Sequence, residues 1–182
     1  LFPKGYKAEV QIISTVMSAD QENDPDILSI IGASSALMLS PIPWDGPVAA
    51  ARIGYVNGRI MVNPTNTDLA GSDLDMVIAG TSDAIMMVEG EAQQLPESVL
   101  LEAIEAAHAV IRQICDAQWK LREMAGKEKW EFVAPQQDQA LVAEVRGVIG
   151  ERLREAVNNP DKVVRLEGTD ALKHELLQQL AS

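Results

Sequence analysis

Cysteine is almost missing from this sequence: Cys115 stands alone among 182 residues, so no internal disulfide can form and nothing points to an oxidising compartment. Long apolar runs are missing too. The longest candidates are cut by Ser, Gly or Asp before they reach the roughly eighteen residues of a membrane span. Positive charge is scarce, with 15 Lys and Arg against 27 Asp and Glu and a formal net charge of −12. The deficit is steepest in residues 1–95, where Lys4, Lys7, Arg52 and Arg59 face twelve carboxylates. Phosphate neutralisation by Lys and Arg supplies most non-specific nucleic-acid affinity, so this segment is not expected to hold RNA or DNA by itself. A glycine-rich phosphate loop is also missing, because Gly32-Ala33-Ser34-Ser35 falls inside a helical pattern rather than between a strand and a helix. There is no repeat, low-complexity tract or signal segment, and the opening Leu1-Phe2-Pro3-Lys4 reads as the start of an excised piece.

What is present has the balance of a soluble globular protein, with 47% hydrophobic and 23% charged residues and enough length for one domain and part of another. Tyr6 to Ser18 carries Val10, Ile12, Ile13, Val16 and Met17 without a turn residue, which predicts a strand. Asp24 before Pro25 predicts an N-cap with proline in the first turn of a helix over 25–39, apolar nearly all round and therefore buried. Asn57-Gly58 lies between 48–56 and 59–62, a strong hairpin signal because both turn positions need positive φ. A second hairpin is expected from 74–79 and 84–89. A long helix over 96–125 closes at Gly126, and its stripe of Ile104, Ala107, His108, Ile111, Ile114, Cys115 and Leu121 is expected to pack on the sheet. Two further helices are expected over 136–157 and 169–180, separated by Asn158-Asn159-Pro160-Asp161. The fold class is α+β followed by an all-α part. The expected divisions are 1–126, a linker over 127–135, and an incomplete helical domain over 136–182.

Few residues suggest chemistry. Asp20, Glu22, Asp24 and Asp26 alternate like part of a calcium loop, but the glycine and the closing Glu of that pattern are missing, which favours a solvated turn. Asp68, Asp73 and Asp75 form a second acidic group, with Asp73 and Asp75 on one face of a strand, where carboxylates could hold Mg²⁺ beside a phosphate. No basic neighbour is evident to hold that phosphate. His108 reads as a hydrogen-bonded core histidine and His174 as surface, since no Ser, Cys or paired carboxylate accompanies them.

Eight ordered motifs then carry a resemblance: Leu1-Phe2-Pro3-Lys4-Gly5-Tyr6, Asn23-Asp24-Pro25-Asp26-Ile27, Ile31-Gly32-Ala33-Ser34-Ser35-Ala36-Leu37, Pro41-Ile42-Pro43, Gly46 through Tyr55, Val62-Asn63-Pro64-Thr65, Ser72 through Thr81, and Met87 through Ala92. Together they resemble the bacterial polynucleotide phosphorylase family over residues 1 to about 131, and more weakly beyond. The resemblance implies a partial RNase PH-like core, the first and non-catalytic copy, running into an all-helical domain. For the whole enzyme it implies a phosphorolytic 3′-to-5′ exoribonuclease acting in mRNA turnover, with Mg²⁺ and inorganic phosphate. It also implies a cytoplasmic homotrimer whose partners are the rest of the polypeptide, two further subunits, RNA and degradosome-type proteins.

The same resemblance implies that this copy is silent. Where the catalytic copy has a serine-rich phosphate cradle, this chain has Asp24-Pro25-Asp26, which inverts the sign of the site with no nearby cation expected to offset it. Asp75 matches one metal-binding aspartate, while Leu69 and Val77 stand where the other aspartate and a lysine are found. No catalytic or cofactor-binding residue is expected, and Asp73 and Asp75 are at most vestigial metal ligands. The expected role is structural. The alternatives are a self-sufficient phosphorolytic RNase using Asp73 and Asp75, or an acidic protein-interaction module built on 136–182.

Overall fold

A computed structural model describes residues 1–180, and the chain divides into two compact units, 1–134 and 135–182. In the first unit, β1 (Ala49–Val56) and β2 (Arg59–Val62) form the expected hairpin, with Asn57 and Gly58 at φ 51 and 76. β3 (Leu74–Gly80) and β4 (Ile85–Ala92) form the second, with β4 continuing to Ala92. Antiparallel pairing of β1 with β3, from Ala49 opposite Gly80 to Gly54 opposite Asp75, joins both hairpins into one sheet of order β2-β1-β3-β4. Gly90 is required in β4, since a Cβ there would lie 2.3 Å from the Asp75 carbonyl oxygen. Between the hairpins a single turn, α2 (Asn66–Leu69), is closed by a capping box of Thr65 and Asp68.

Strand alternation decides which residues meet which helix. Ala49, Ala51 and Ile53 of β1 and Leu74, Met76 and Ile78 of β3 pack with Ala103, Ala107, Ile111 and Cys115 of α3 (Glu97–Ala125). These four α3 residues are fully buried and recur every four positions; the alanines let the helix approach the sheet closely. Leu121, expected on the stripe, is 38% exposed. The opposite parity, Ala50 and Ala79, packs with Ile27 of α1 (Asp26–Leu39). That parity also carries Arg52 and Asp75 toward α1.

Two expectations for this unit fail. The segment over Tyr6 to Ser18 is not a strand: it joins no ladder, and Ile13 and Met17 are 77% and 89% exposed. β-branched residues favour a strand only where a neighbour supplies hydrogen bonds and a packing surface. α1 is not buried all round either. Only Ile27, Ser34, Leu37 and Met38 are buried, and Leu28 is 67% exposed, because the helix lies on the sheet by one face.

The second unit is a helical hairpin. α4 (Gln139–Val157) starts at Asp138, whose carboxylate accepts from the Ala140 and Leu141 amides. α5 (Lys162–Leu180) begins seven residues before the expected Thr169, because Asp161 accepts from the Val163 and Val164 amides and so caps a helix at that point. Ile149 of α4 and Leu172 of α5 are buried, and Arg152 and Glu175 pair across the two helices through bonds of 2.8 and 2.6 Å. Among the described residues beyond 135 there is no strand; the last two of the expected helical region, 181 and 182, lie outside them.

Candidate functional site

The chemistry-bearing side chains converge on Arg52. The Asn63 side chain accepts from the Arg52 amide at 3.0 Å, and the Asn63 amide donates to the Arg52 carbonyl at 2.7 Å, which fixes the backbone from which the guanidinium projects. Nη1 donates to both Asp75 oxygens at 2.9 and 2.8 Å. Nη2 donates to Asp26 at 2.6 Å and reaches Asp24 at 3.5 Å. One guanidinium thus joins the sheet to the N-terminal end of α1, its own side chain 15% exposed and the three carboxylates 38–43% exposed. Burial by itself would lower the Arg52 pKa. The hydrogen bond and charge of Asp26, with the charges of Asp75 and Asp24, outweigh it and raise the pKa above the ordinary arginine value.

This overturns the expectation that no cation stands near Asp24 and Asp26 or beside Asp75. Arg52 is half-hidden in the sequence. It is one of four basic residues in the first 95, and it has the strand parity opposite to Ala51 and Ile53, but only the β1–β3 register brings it to Asp75. Asp73 lies just before β3, exposed, and contributes its backbone: its amide donates to the Tyr55 carbonyl and its carbonyl accepts from Gln93. Asp68 is spent elsewhere, holding Thr65 at 2.7 and 3.0 Å, and those hydrogen bonds lower its pKa. Asp20 accepts from the amides of Asn23 and Glu22 and from the Asn23 side chain, the arrangement of a solvated turn.

Two clefts border the arginine. One of about 390 Å³ is lined by Asp20, Asn23, Asp24, Arg52 and Asn63; the other, about 560 Å³, by Asp26, Asp75, Glu89, Glu91 and Arg52. Both are acidic on balance. Both Asp75 oxygens are taken by Arg52, and Leu69 and Val77 have no side-chain oxygen to set beside it as a magnesium ligand. Among the described residues no group of three or more His, Cys, Asp or Glu is placed to hold a metal.

The histidines stand apart from this site. His108 Nε2 lies 3.1 Å from the Thr81 carbonyl and Nδ1 lies 3.2 Å from Arg112. A carbonyl can only accept and a guanidinium only donate, so both contacts hold the ring in place; His108 is hydrogen-bonded but half-buried, at the edge of the core rather than in it. Cys115 is buried in the core, where burial raises its pKa and keeps the thiol protonated.

Comparison with known proteins adds to this geometry. Residues 46–110 match the model of the 3′ exoribonuclease family, domain 2, which spans the sheet and the first half of α3. A polyribonucleotide nucleotidyltransferase of Thermomicrobium roseum is 54% identical over 97% of this chain, and one of Roseiflexus sp. is 50% identical over 97%. The chain belongs to the polyribonucleotide nucleotidyltransferase family. A relative in Nitratidesulfovibrio vulgaris, with the same name, is 48% identical over the whole chain. The chain covers 22–24% of the length of these three nucleotidyltransferases, so it corresponds to one part of each of them. The identity runs through both units, and the sheet lies wholly within the residues that match domain 2 of the 3′ exoribonuclease family.

Proposed function

We propose that this segment is a non-catalytic, structural part of a phosphorolytic 3′-to-5′ exoribonuclease, which degrades RNA with inorganic phosphate to nucleoside diphosphates during mRNA turnover. The observation that carries this reading is the engagement of both terminal nitrogens of Arg52 by carboxylates, with Nε buried and unpaired. Three carboxylates meet one guanidinium, leaving a net of two negative charges where an RNase PH-type active site would need to receive phosphate. Unit charges of like sign 4 Å apart repel by about 4 kcal/mol at an effective dielectric constant near 20. A phosphate dianion is therefore turned away, and the single cation that could hold it is already bonded.

The rest of the reading concerns the whole protein. Its catalysis is assigned to a second core outside this segment, with Mg²⁺ and phosphate as that core's requirements. Its partners are the remaining polypeptide, two further subunits of a homotrimer, RNA, and degradosome-type proteins. A cytoplasmic location accords with the lack, among the described residues, of any helix long and apolar enough to cross a membrane.

The test compares two single variants of the full-length enzyme at equal trimer content in a phosphate-dependent RNA decay assay. Asp75→Asn is expected to leave the rate nearly unchanged, whereas loss of the matching aspartate in the second core abolishes it. A large loss for Asp75→Asn with the trimer intact would place the first core in the chemistry. Release of nucleoside diphosphate from poly(A) by the present chain alone would favour a self-sufficient RNase.

A further inference from the structure

Beyond α3 the chain runs back across the end of α1. Of residues 127–134, only Lys129 and Phe132 are shielded; the others are exposed. Lys129 Nζ donates to the carbonyls of Leu37 at 2.7 Å, Ser40 at 2.8 Å and Met38 at 3.2 Å. An ammonium has three N–H donors, and all three are used. These acceptors lie at the end of α1, where a helix leaves carbonyls without partners of its own. α1 has no basic residue in its own last turn, so a lysine far along the sequence supplies the positive charge that the negative end of the helix dipole favours.

The backbone follows the side chain. The Lys127 amide donates to the Leu39 carbonyl at 2.9 Å and the Trp130 amide to the Pro41 carbonyl at 2.7 Å. Phe132 then sets its ring edge on Tyr6 at 5.5 Å, and Tyr6 stacks on Phe2, which in turn meets Trp44. None of these contacts reaches the cluster buried between α3 and the sheet.

We propose that residues 127–134 are a releasable strap, latched to the end of α1 by the Lys129 ammonium and the Phe132 ring, that opens while the sheet stays folded. Few contacts, an exposed backbone and anchors outside the core are the features of a low-stability unit that opens locally. The polar half of the latch depends on charge. Acylation of the Lys129 amine would remove the positive charge and leave too few N–H donors for the three carbonyls, so a modifying reagent that reaches the amine during an opening would keep the strap released.

Hydrogen–deuterium exchange of the intact chain tests this, with Lys129→Met and Phe132→Ala as separate variants. Each is expected to speed exchange of the Lys127 and Trp130 amides, the two that are hydrogen-bonded, by about tenfold or more while the β1 and β3 peptides keep their wild-type rates. In the unmodified protein, brief acetic anhydride treatment is expected to label Lys129 about tenfold more slowly than exposed Lys127, whose side chain makes none of these bonds. Unchanged exchange in the strap, an equal rise in β1 and β3, or equal labelling of the two lysines would each overturn the proposal.

Discussion

Replacing Arg52 by methionine keeps the apolar stem that packs on the sheet and removes the charge that three carboxylates share. The cost can be bracketed. Breaking a fully buried pair costs about 3–5 kcal/mol, and losing an exposed pair costs about 1 kcal/mol or less. Arg52 is 15% exposed but its partners are 38–43% exposed and can turn toward water once freed, so the loss falls near the lower end of that interval, about 2 kcal/mol. For a unit of this size each kcal/mol moves the melting temperature by about 4 °C, so Arg52→Met should melt about 8 °C lower. Part of the loss is repulsion among the abandoned carboxylates, which salt screens. Raising ionic strength should therefore narrow the gap between variant and parent, and adding Asp26→Asn to Arg52→Met should restore about 0.5–1 kcal/mol. Circular-dichroism melts at low and high salt, with the double-mutant cycle, measure all three quantities. A melting shift below about 2 °C, or strict additivity of the two substitutions, would refute the view that Arg52 holds α1 to the sheet through these charges.

The remaining expectations concern the acid limb of stability and two glycines. Asp20 titrates at about 2, held down first by the Asn23 amide and then by the Asn23 side chain and Glu22 amide. Its folded pKa lies below the unfolded value near 3.9, so its contribution is complete above about pH 4 and is lost as pH falls through about 2; an NMR titration midpoint near 4 would contradict this. Gly90→Ala should destabilise by about 2 kcal/mol or more in urea unfolding, because the new methyl meets the Asp75 carbonyl oxygen and Met76 Cα across the ladder. Gly32→Ala, inside α1 with nothing within 4 Å of the added Cβ, should instead stabilise by about 0.5–1 kcal/mol. Equal effects of the two substitutions would show that neither the contact nor the open space is as described.

The sequence is legible where a local rule and the tertiary environment agree. Asn57-Gly58 announces its hairpin because both residues take positive φ whatever lies around them. The long helix is legible because Ala103, Ala107, Ile111 and Cys115 repeat at the interval that brings them onto one face, and the sheet they need is there to receive them. Residues Tyr6 to Ser18 mislead for the complementary reason: their composition fits a strand, but strand structure is a property of a pair. The N-terminus of α5 was hidden by Val163 and Val164, poor helix formers that the Asp161 cap nonetheless starts into a helix. The Arg52 cluster is the least legible feature. Its carboxylates lie 23 to 28 residues from Arg52, and only the β1–β3 register and the path of α1 bring them to it.

On the function proposed above, that cluster keeps the parts of an anion receptor without acting as one. The N-terminal end of α1 carries the positive end of the helix dipole and free amides, and Arg52 supplies a forked guanidinium beside it; both features suit an external anion. The chain fills both from within. Asp24 accepts from the Asp26 amide at 3.3 Å, Asp26 accepts from the Ile27 amide at 2.6 Å, and the same two carboxylates turn their other oxygens to Arg52. Pro25, lacking an N–H, removes one more donor that a phosphate would use. The features that could have bound a ligand therefore fasten a helix to a sheet, and the charge left over repels the anion the geometry would otherwise attract.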